Sequence, residues 1–322
     1  MNRTSTYKPG LAWFAALSCA WVFVLVALGA FTTSIGAGMA FPDWPLSNGS
    51  INPSGWLTEI DKFAEHSHRL SAAVMSTLTY IIGVWIWRQE ERAWLRQLAL
   101  FAALLVVGQA LVGGLRVLFD HLHIAALETS AGRLFAMLHA VLAQMFVCTL
   151  LALALACSRP WIEAYGGLKG TVGPRTIALG RLCVALLFGQ LAVAAIMRHS
   201  QAGLAMPTFP LTPEGGLLPA HWDFRVAIHF THRLLAAAIT IALAAYGHVL
   251  WRDAAVSRPM RALWMGAAGL LALQIYLGAQ IIWTGRSVTM TTGHVIIGAL
   301  TLAATFVVAF FTHRDSIEPA RT

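Results

Sequence analysis

Charged residues are scarce in this sequence: Asp, Glu, Lys and Arg make up 11% of its 322 residues, whereas hydrophobic residues make up 58%. With a mean hydropathy of +0.68, the chain has too few polar side chains to cover a water-exposed surface. The apolar residues also come in long blocks. These features exclude a soluble globular domain and predict an integral membrane protein.

Cysteine is scarce as well. The four cysteines all lie within or at the ends of apolar stretches, at Cys19, Cys148, Cys157 and Cys183. Packing as small apolar side chains is the ordinary role of cysteine in such places. We therefore expect no disulfide in the loops outside the membrane.

Eight apolar stretches are about 20 residues long, the length that spans a hydrocarbon layer of ~30 Å. The predicted spans are 12–35, 67–87, 95–117, 132–157, 177–197, 225–249, 263–282 and 290–311. The first follows Arg3 and Lys8 as a signal peptide would, but it is too long and lacks a clear cleavage site. The sequence thus predicts an all-α protein with eight transmembrane helices.

Positive charges indicate the orientation of these helices. The two chain termini and the connections on the same side of the membrane contain thirteen Lys and Arg residues. The connections on the opposite side contain three: Lys62, Arg198 and Arg286. The positive-inside rule then places both termini in the cytoplasm. The net charge of +8 is explained by this asymmetry, so no nucleic-acid partner is expected.

The chain also contains an internal repeat. At an offset of about 164 residues, 41–46 aligns with 206–211, 68–70 with 232–234, and Gln109 and Gly113 with Gln274 and Gly278. At an offset of 155, 138–141 aligns with 293–296. We predict two tandem four-helix bundles, 1–160 and 161–322. Because four spans return the chain to its starting side, the bundles should be related by a pseudo-twofold axis along the membrane normal.

Four histidines occupy matching places in the even-numbered spans: His68, His139, His232 and His294. Each lies within about eight residues of the outer face, at most ~12 Å deep. A single histidine of this kind can simply hydrogen-bond to a neighbouring helix, but the recurrence in both halves favours two pairs that each ligate a haem iron. Zinc or copper would need three or four ligands per site.

Other polar residues surround the histidines. Glu65 corresponds to His229 in the repeat, and it is either a solvated acid at the helix start or a carboxylate directed at the ligand of His68. Arg69 and Arg233 are either interfacial anchors or partners of haem propionates. His66 and His229 are expected to be interfacial side chains. The aromatic residues of the outer loop 36–64 form either an interfacial belt or a lid over an apolar substrate.

Taken together, these motifs resemble the haem A synthase family of bacterial and mitochondrial membranes. The resemblance rests on segments 36–45, 65–69, 138–140, 231–233 and 293–294. It implies that His232 and His294 ligate a permanent haem b in the C-terminal half. It further implies that His68 and His139 hold the substrate haem O in the N-terminal half, with Glu65 essential for catalysis.

The activity implied by this resemblance is oxidation of the C8 methyl of haem O to a formyl group, through two hydroxylation-like steps and loss of water. The implied location is a bacterial-type inner membrane, where the farnesyl tail of haem O could enter from lipid. A haem O synthase, cytochrome oxidase assembly factors and a second copy of the chain are the partners that fit the family. Many members carry a cysteine pair in the first outer loop, whereas this chain has Ser47 in that region.

Two alternatives remain at the level of sequence. A dihaem b-type electron carrier that oxidises quinol would share the histidine pairs, but it gives no reason for Glu65 to occur in one half alone. A transporter could also have repeats and intramembrane ionisable residues. Broken helices near the midplane would then be expected, whereas the ionisable residues here lie toward the outer edge.

Overall fold

The computed structural model describes residues 5–125, 128–163 and 172–318. Eight helices are long and apolar enough to cross a membrane. They are α1 Pro9–Ser34, α2 Ile60–Gln89, α3 Ala93–Leu118, α4 Ala131–Cys157, α6 Pro174–His199, α7 Phe224–Arg252, α8 Arg258–Trp283 and α9 Val288–Thr312. The remaining elements are short: helices α5 Arg159–Ile162 and α10 Arg314–Ile317, and a hairpin of β1 His123–Ile124 with β2 Thr129–Ser130. The predicted all-α membrane fold is confirmed.

The predicted helix boundaries agree with the structure to within five residues, with one exception. Helix α2 begins at Ile60, whereas the sequence predicted a start at residue 67. Its first two turns contain Asp61, Lys62 and Glu65, which lower the local hydropathy although the backbone remains helical. Consequently Glu65 belongs to the helix itself.

The helices contact one another in two groups of four. Helices α1, α2, α3 and α4 form a ring in which each contacts its two neighbours, and α6, α7, α8 and α9 form a second ring. The groups meet where α1 contacts α9 and where α4 contacts both α6 and α9. Two apolar cores result, one within α1–α4 and one centred on α6–α9. The pseudo-twofold axis and the division at residue 160 stay predictions, and part of the predicted linker, 164–171, lies outside the described residues.

Two long connections lie at the same end of the helices. They are 35–59, between α1 and α2, and 200–223, between α6 and α7. The hairpin and the short connection 284–287 share this end, which we call the long-loop face. The opposite end carries both chain termini, and its cytoplasmic location stays a prediction.

Candidate functional site

The four predicted histidines lie at matching depths below the long-loop face. His68, His139 and His232 each lie eight residues after the first residue of α2, α4 and α7, and His294 lies six residues after the start of α9. At 1.5 Å per residue, this places all four roughly 9–12 Å along their helices. Their side chains are half-buried. One layer of the protein therefore contains all four imidazoles.

The structure places the imidazoles of His232 and His294 next to each other. The ring centroids of His232 and His294 are 6.3 Å apart, with their planes at 54°. Because an imidazole nitrogen binds a transition metal at about 2.0–2.1 Å, one ion between two rings would separate their centroids by roughly 6 Å. His139 lies within electrostatic range of His68. No group of three or more metal-binding side chains occurs in the described residues, so two-ligand sites fit an iron whose other ligands come from a macrocycle.

Glycines on neighbouring helices make room for three of these rings. A Cβ at Gly29 would lie 2.9 Å from Cε1 of His68, and one at Gly113 or Gly278 would lie 3.2 Å from Cε1 of His139 or His294. Such approaches are closer than van der Waals contact allows without movement. We call these three positions the glycine notches; each holds the Cε1 edge of an imidazole against a helix backbone.

The Nδ1 atoms lie on the enclosed side of the same rings. Nδ1 of His294 is 3.0 Å from the main-chain oxygen of Gln274, which fixes the Nδ1–H tautomer and leaves the Nε2 lone pair for a metal. Nδ1 of His68 and of His139 is buried as well, and each of these rings lies near a main-chain oxygen, that of Leu25 for His68 and that of Gln109 for His139. This arrangement suits histidines that ligate through Nε2.

His232 is held differently from the other three. The amide nitrogen of Gln190 lies 3.1 Å from its Nδ1 and donates to its main-chain oxygen at 3.0 Å. Position 190 corresponds to Leu25 in the repeat, so the N-terminal half has no side-chain amide there. The two pairs consequently differ in the groups that surround their ligands.

Glu65 is buried, with 4% of its surface exposed, and its two carboxylate oxygens have different partners. Oε1 forms an ion pair with Nη2 of Arg69 at 2.6 Å, and Oε2 accepts a hydrogen bond from the main-chain N–H of Phe41 at 3.1 Å. The alternative of a solvated loop acid is therefore wrong. Its orientation toward a ligand of His68 stays a prediction.

Arg69 connects α2 to the long loop above it. Its guanidinium donates to the main-chain oxygens of Asp43 at 2.8 Å, Leu46 at 2.6 Å and Phe41 at 3.3 Å. Desolvation raises the pKa of Asp43, but main-chain N–H donors, chiefly those of Gly49 and Asn48, more than offset it and hold that pKa below its usual value. The loop is thus folded around Arg69.

The C-terminal half repeats this arrangement with one change. Arg233 donates to the main-chain oxygens of Met206 at 3.0 Å and Thr208 at 2.7 Å. His229 stands in the place of Glu65: its Nδ1 accepts from the N–H of Met206 at 3.3 Å, and Nε of Arg233 lies 3.3 Å from its Nε2. A neutral imidazole accepts at only one nitrogen, whereas a carboxylate accepts at both oxygens. The carboxylate can therefore accept from the loop and from its arginine at once, whereas the imidazole cannot.

Several expectations about the polar residues change with the structure. His66 and His229 were expected at the interface, but they are 3% and 4% exposed because each contacts its loop, His66 through the hydroxyl of Ser47 at 3.1 Å. Arg69 and Arg233 are occupied with loop oxygens, and a role for them as propionate partners stays a prediction. Sequence reasoning missed the glycine notches, although the recurrence of Gly113 and Gly278 in the repeat was a signal for two of them.

Comparison with known proteins identifies a family and several relatives. The model of the COX15-CtaA family, described as cytochrome oxidase assembly protein, matches residues 12–306. Similar relatives named Heme A synthase include one from Geobacillus kaustophilus, 28% identical over 295 residues that cover 89% of this chain and 86% of the relative. Another from Halalkalibacterium halodurans is 26% identical over 292 residues, covering 88% of this chain and 91% of the relative. Because the family match spans all four histidines, the chain belongs to the COX15-CtaA family of cytochrome oxidase assembly proteins.

Proposed function

We propose that this chain is a haem A synthase, an oxidoreductase that acts on a CH group and converts the C8 methyl of haem O to a formyl group. The observation that carries the proposal is the contrast between two similar histidine pairs, of which only one has a buried carboxylate on the same helix. Glu65 lies three residues before His68, whereas His229 takes its place in the other half. The relatives named Heme A synthase supply the reaction.

The two pairs have different roles in this proposal. His232 and His294 would hold a haem b, and the 6.3 Å between their ring centroids fits two imidazoles that bind one iron. That haem supplies one-electron chemistry when bound. His68 and His139 hold the iron of the substrate haem O, with their rings seated in glycine notches.

When the oxygen comes from water, conversion of one methyl group and one water to a formyl group releases four electrons and four protons. A first hydroxylation-like step gives the alcohol and a second gives the gem-diol, and each consumes one water and releases two protons and two electrons. Loss of one water from the gem-diol leaves the formyl group. A one-electron acceptor takes the electrons, so this chain must provide a place for the protons.

Glu65 is the residue that we propose for proton transfer. Its carboxylate accepts the two hydrogen bonds from Arg69 and Phe41 but has about four acceptor positions, which leaves room for a water or a substrate proton. The ion pair and the main-chain donor hold it in one orientation, as efficient proton transfer requires.

The long loop and the membrane complete the proposed site. The indole of Trp44 packs against Gly114 of α3, next to the glycine notch of His139. We propose that haem O enters sideways from lipid below this loop, with both termini of the chain in the cytoplasm. A haem O synthase, oxidase assembly factors and a second copy of this chain are the proposed partners.

The test is the variant Glu65→Ala, produced together with a haem O supply. We expect it to retain bound haem but to form no haem A, as measured by extraction and chromatography of the haems. Glu59→Gln is the matched control, because Glu59 is an exposed carboxylate that pairs with Lys62 beside the same loop. Full haem A production by Glu65→Ala would remove Glu65 from the mechanism. Two permanent b haems without any product in the unmodified protein would instead support a dihaem electron carrier.

A further inference from the structure

Two arginines near the histidine pairs form no direct salt bridge with a carboxylate of the described residues, although Arg116 lies within electrostatic range of Glu65 and Asp120. Arg116 lies near the end of α3, three residues after Gly113. Arg198 lies near the end of α6, eight residues after Gln190. Both are half-buried at the long-loop face. Neither forms an ion pair with any carboxylate in the described part of the chain. A half-buried cation without a counter-ion is costly, so a missing anion is the natural partner.

The existing contacts of these arginines leave donors unused. Arg116 donates through Nη1 to the main-chain oxygen of Gly38. Arg198 donates through Nη2 to the hydroxyl of Ser34 at 3.0 Å. An arginine has five N–H donors, so each retains several for another acceptor. By contrast, the terminal nitrogens of Arg69 all donate to loop oxygens or to Glu65.

Each of these arginines is close to one histidine pair. Arg116 lies within electrostatic range of His68 and His139, three residues beyond the glycine notch of His139. Arg198 lies within electrostatic range of His294, and also of Arg286, a second cation. Two like charges near each other repel, and an anion bound between them would offset that repulsion.

We propose that Arg116 binds a carboxylate of the porphyrin at the His68 and His139 pair, and that Arg198 binds a carboxylate of the porphyrin at the His232 and His294 pair. The inference rests on the proposed function, because it requires that both pairs hold a haem. Arginine suits this role since its planar guanidinium can bind a carboxylate through two parallel hydrogen bonds. The repeat does not supply these residues twice, since Arg198 corresponds to Thr33. Each half therefore anchors its haem from a different helix.

The test compares binding of haem b with binding of its dimethyl ester, which has no free carboxylate. Binding is titrated by Soret absorbance in two background variants. Replacing His232 and His294 by alanine leaves only the first pair, and replacing His68 and His139 by alanine leaves only the second. We expect R116Q to weaken haem b binding at the first pair roughly tenfold or more, and R198Q to do so at the second. Binding of the ester should change little, and R116K and R198K should retain most of the affinity.

Arg225→Gln is the matched control, because Arg225 is an exposed cation at the same face. It should leave both titrations unchanged. If R116Q and R198Q weaken haem b and its ester equally, or weaken neither, the two arginines do not bind the carboxylates and this inference is overturned. Failure of both backgrounds and of the unmodified chain to bind any haem would overturn the proposed function as well.

Discussion

The two halves of this protein use the same loop anchor with a different central residue. In the first half the long loop is fixed by Arg69 and Glu65, and in the second by Arg233 and His229. The main-chain acceptors correspond closely: both arginines donate to loop oxygens, and both central residues accept an N–H from the loop. The second half thus shows that a carboxylate is not required to fold such a loop. The carboxylate in the first half is therefore not explained by the loop alone, in keeping with the proton transfer that we propose for it.

The largest effect should follow from exchanging the central residue of the first half. Glu65→His introduces into the first half the residue that the second half has at this place, and its imidazole can still accept a hydrogen bond from the N–H of Phe41. We expect the loop to remain in place, whereas haem A formation falls about 100-fold or more, the usual contribution of a general base. Haem A per mole of protein measures the effect. His229→Glu is the reciprocal control and should lower haem A formation less than about tenfold. If Glu65→His instead forms nearly as much haem A as the unmodified chain, the two central residues do not differ in function.

The second effect concerns the stability of the two loops. Arg69→Gln leaves Glu65, whose side chain is only 5% exposed, buried without its cation, and such a loss costs about 3–5 kcal/mol. Arg233→Gln leaves a histidine, which is ordinarily uncharged at neutral pH, so the cost should be about 1–3 kcal/mol. Hydrogen exchange of the amides in 36–49 and in 201–216 measures the two losses separately. The double variant E65Q/R69Q should recover part of the first loss; equal losses in the two loops would be evidence against a buried charge at Glu65.

The glycine notches provide a smaller test. Gly29→Ala places a methyl 2.9 Å from the ring of His68, and Gly278→Ala places one 3.2 Å from the ring of His294. We expect the first to lower retention of haem O and the second to lower retention of haem b, each several-fold, with Gly29→Ala the more severe. Gly108→Ala and Gly189→Ala are controls, because a Cβ at either position meets no atom within 4 Å. The ratio of Soret absorbance to protein absorbance measures retention.

Sequence reasoning recovered the features that depend on periodic or repeated signals. Apolar blocks identified the eight helices, and the repeat identified the four histidines. It misplaced the start of α2 because Asp61 and Lys62 lower the hydropathy of a segment that is still helical. The bond of Glu65 to Phe41 could not be foreseen, since it joins residues 24 positions apart through a loop without periodicity. The roles of Gly29 and Arg116 depend likewise on contacts between different helices.

The smallest effect separates the loops by their response to pH. Asp43 accepts hydrogen bonds from the main-chain N–H groups of Asn48 and Gly49, both at 2.7 Å, while its counterpart Thr208 donates to the oxygen of Leu211. Folding lowers the pKa of Asp43, so its carboxylate stabilises the folded loop fully above the pKa of the unfolded chain, about 3.9. This stabilisation is lost as the pH falls through the lower pKa of the folded state.

Asp43→Asn should therefore destabilise the first loop more at pH 7 than at pH 3. Thr208→Val should destabilise the second loop equally at both values, since a hydroxyl does not titrate there, and hydrogen exchange at the two pH values distinguishes them. A pH-independent effect of Asp43→Asn would mean that the ionised carboxylate does not hold the turn.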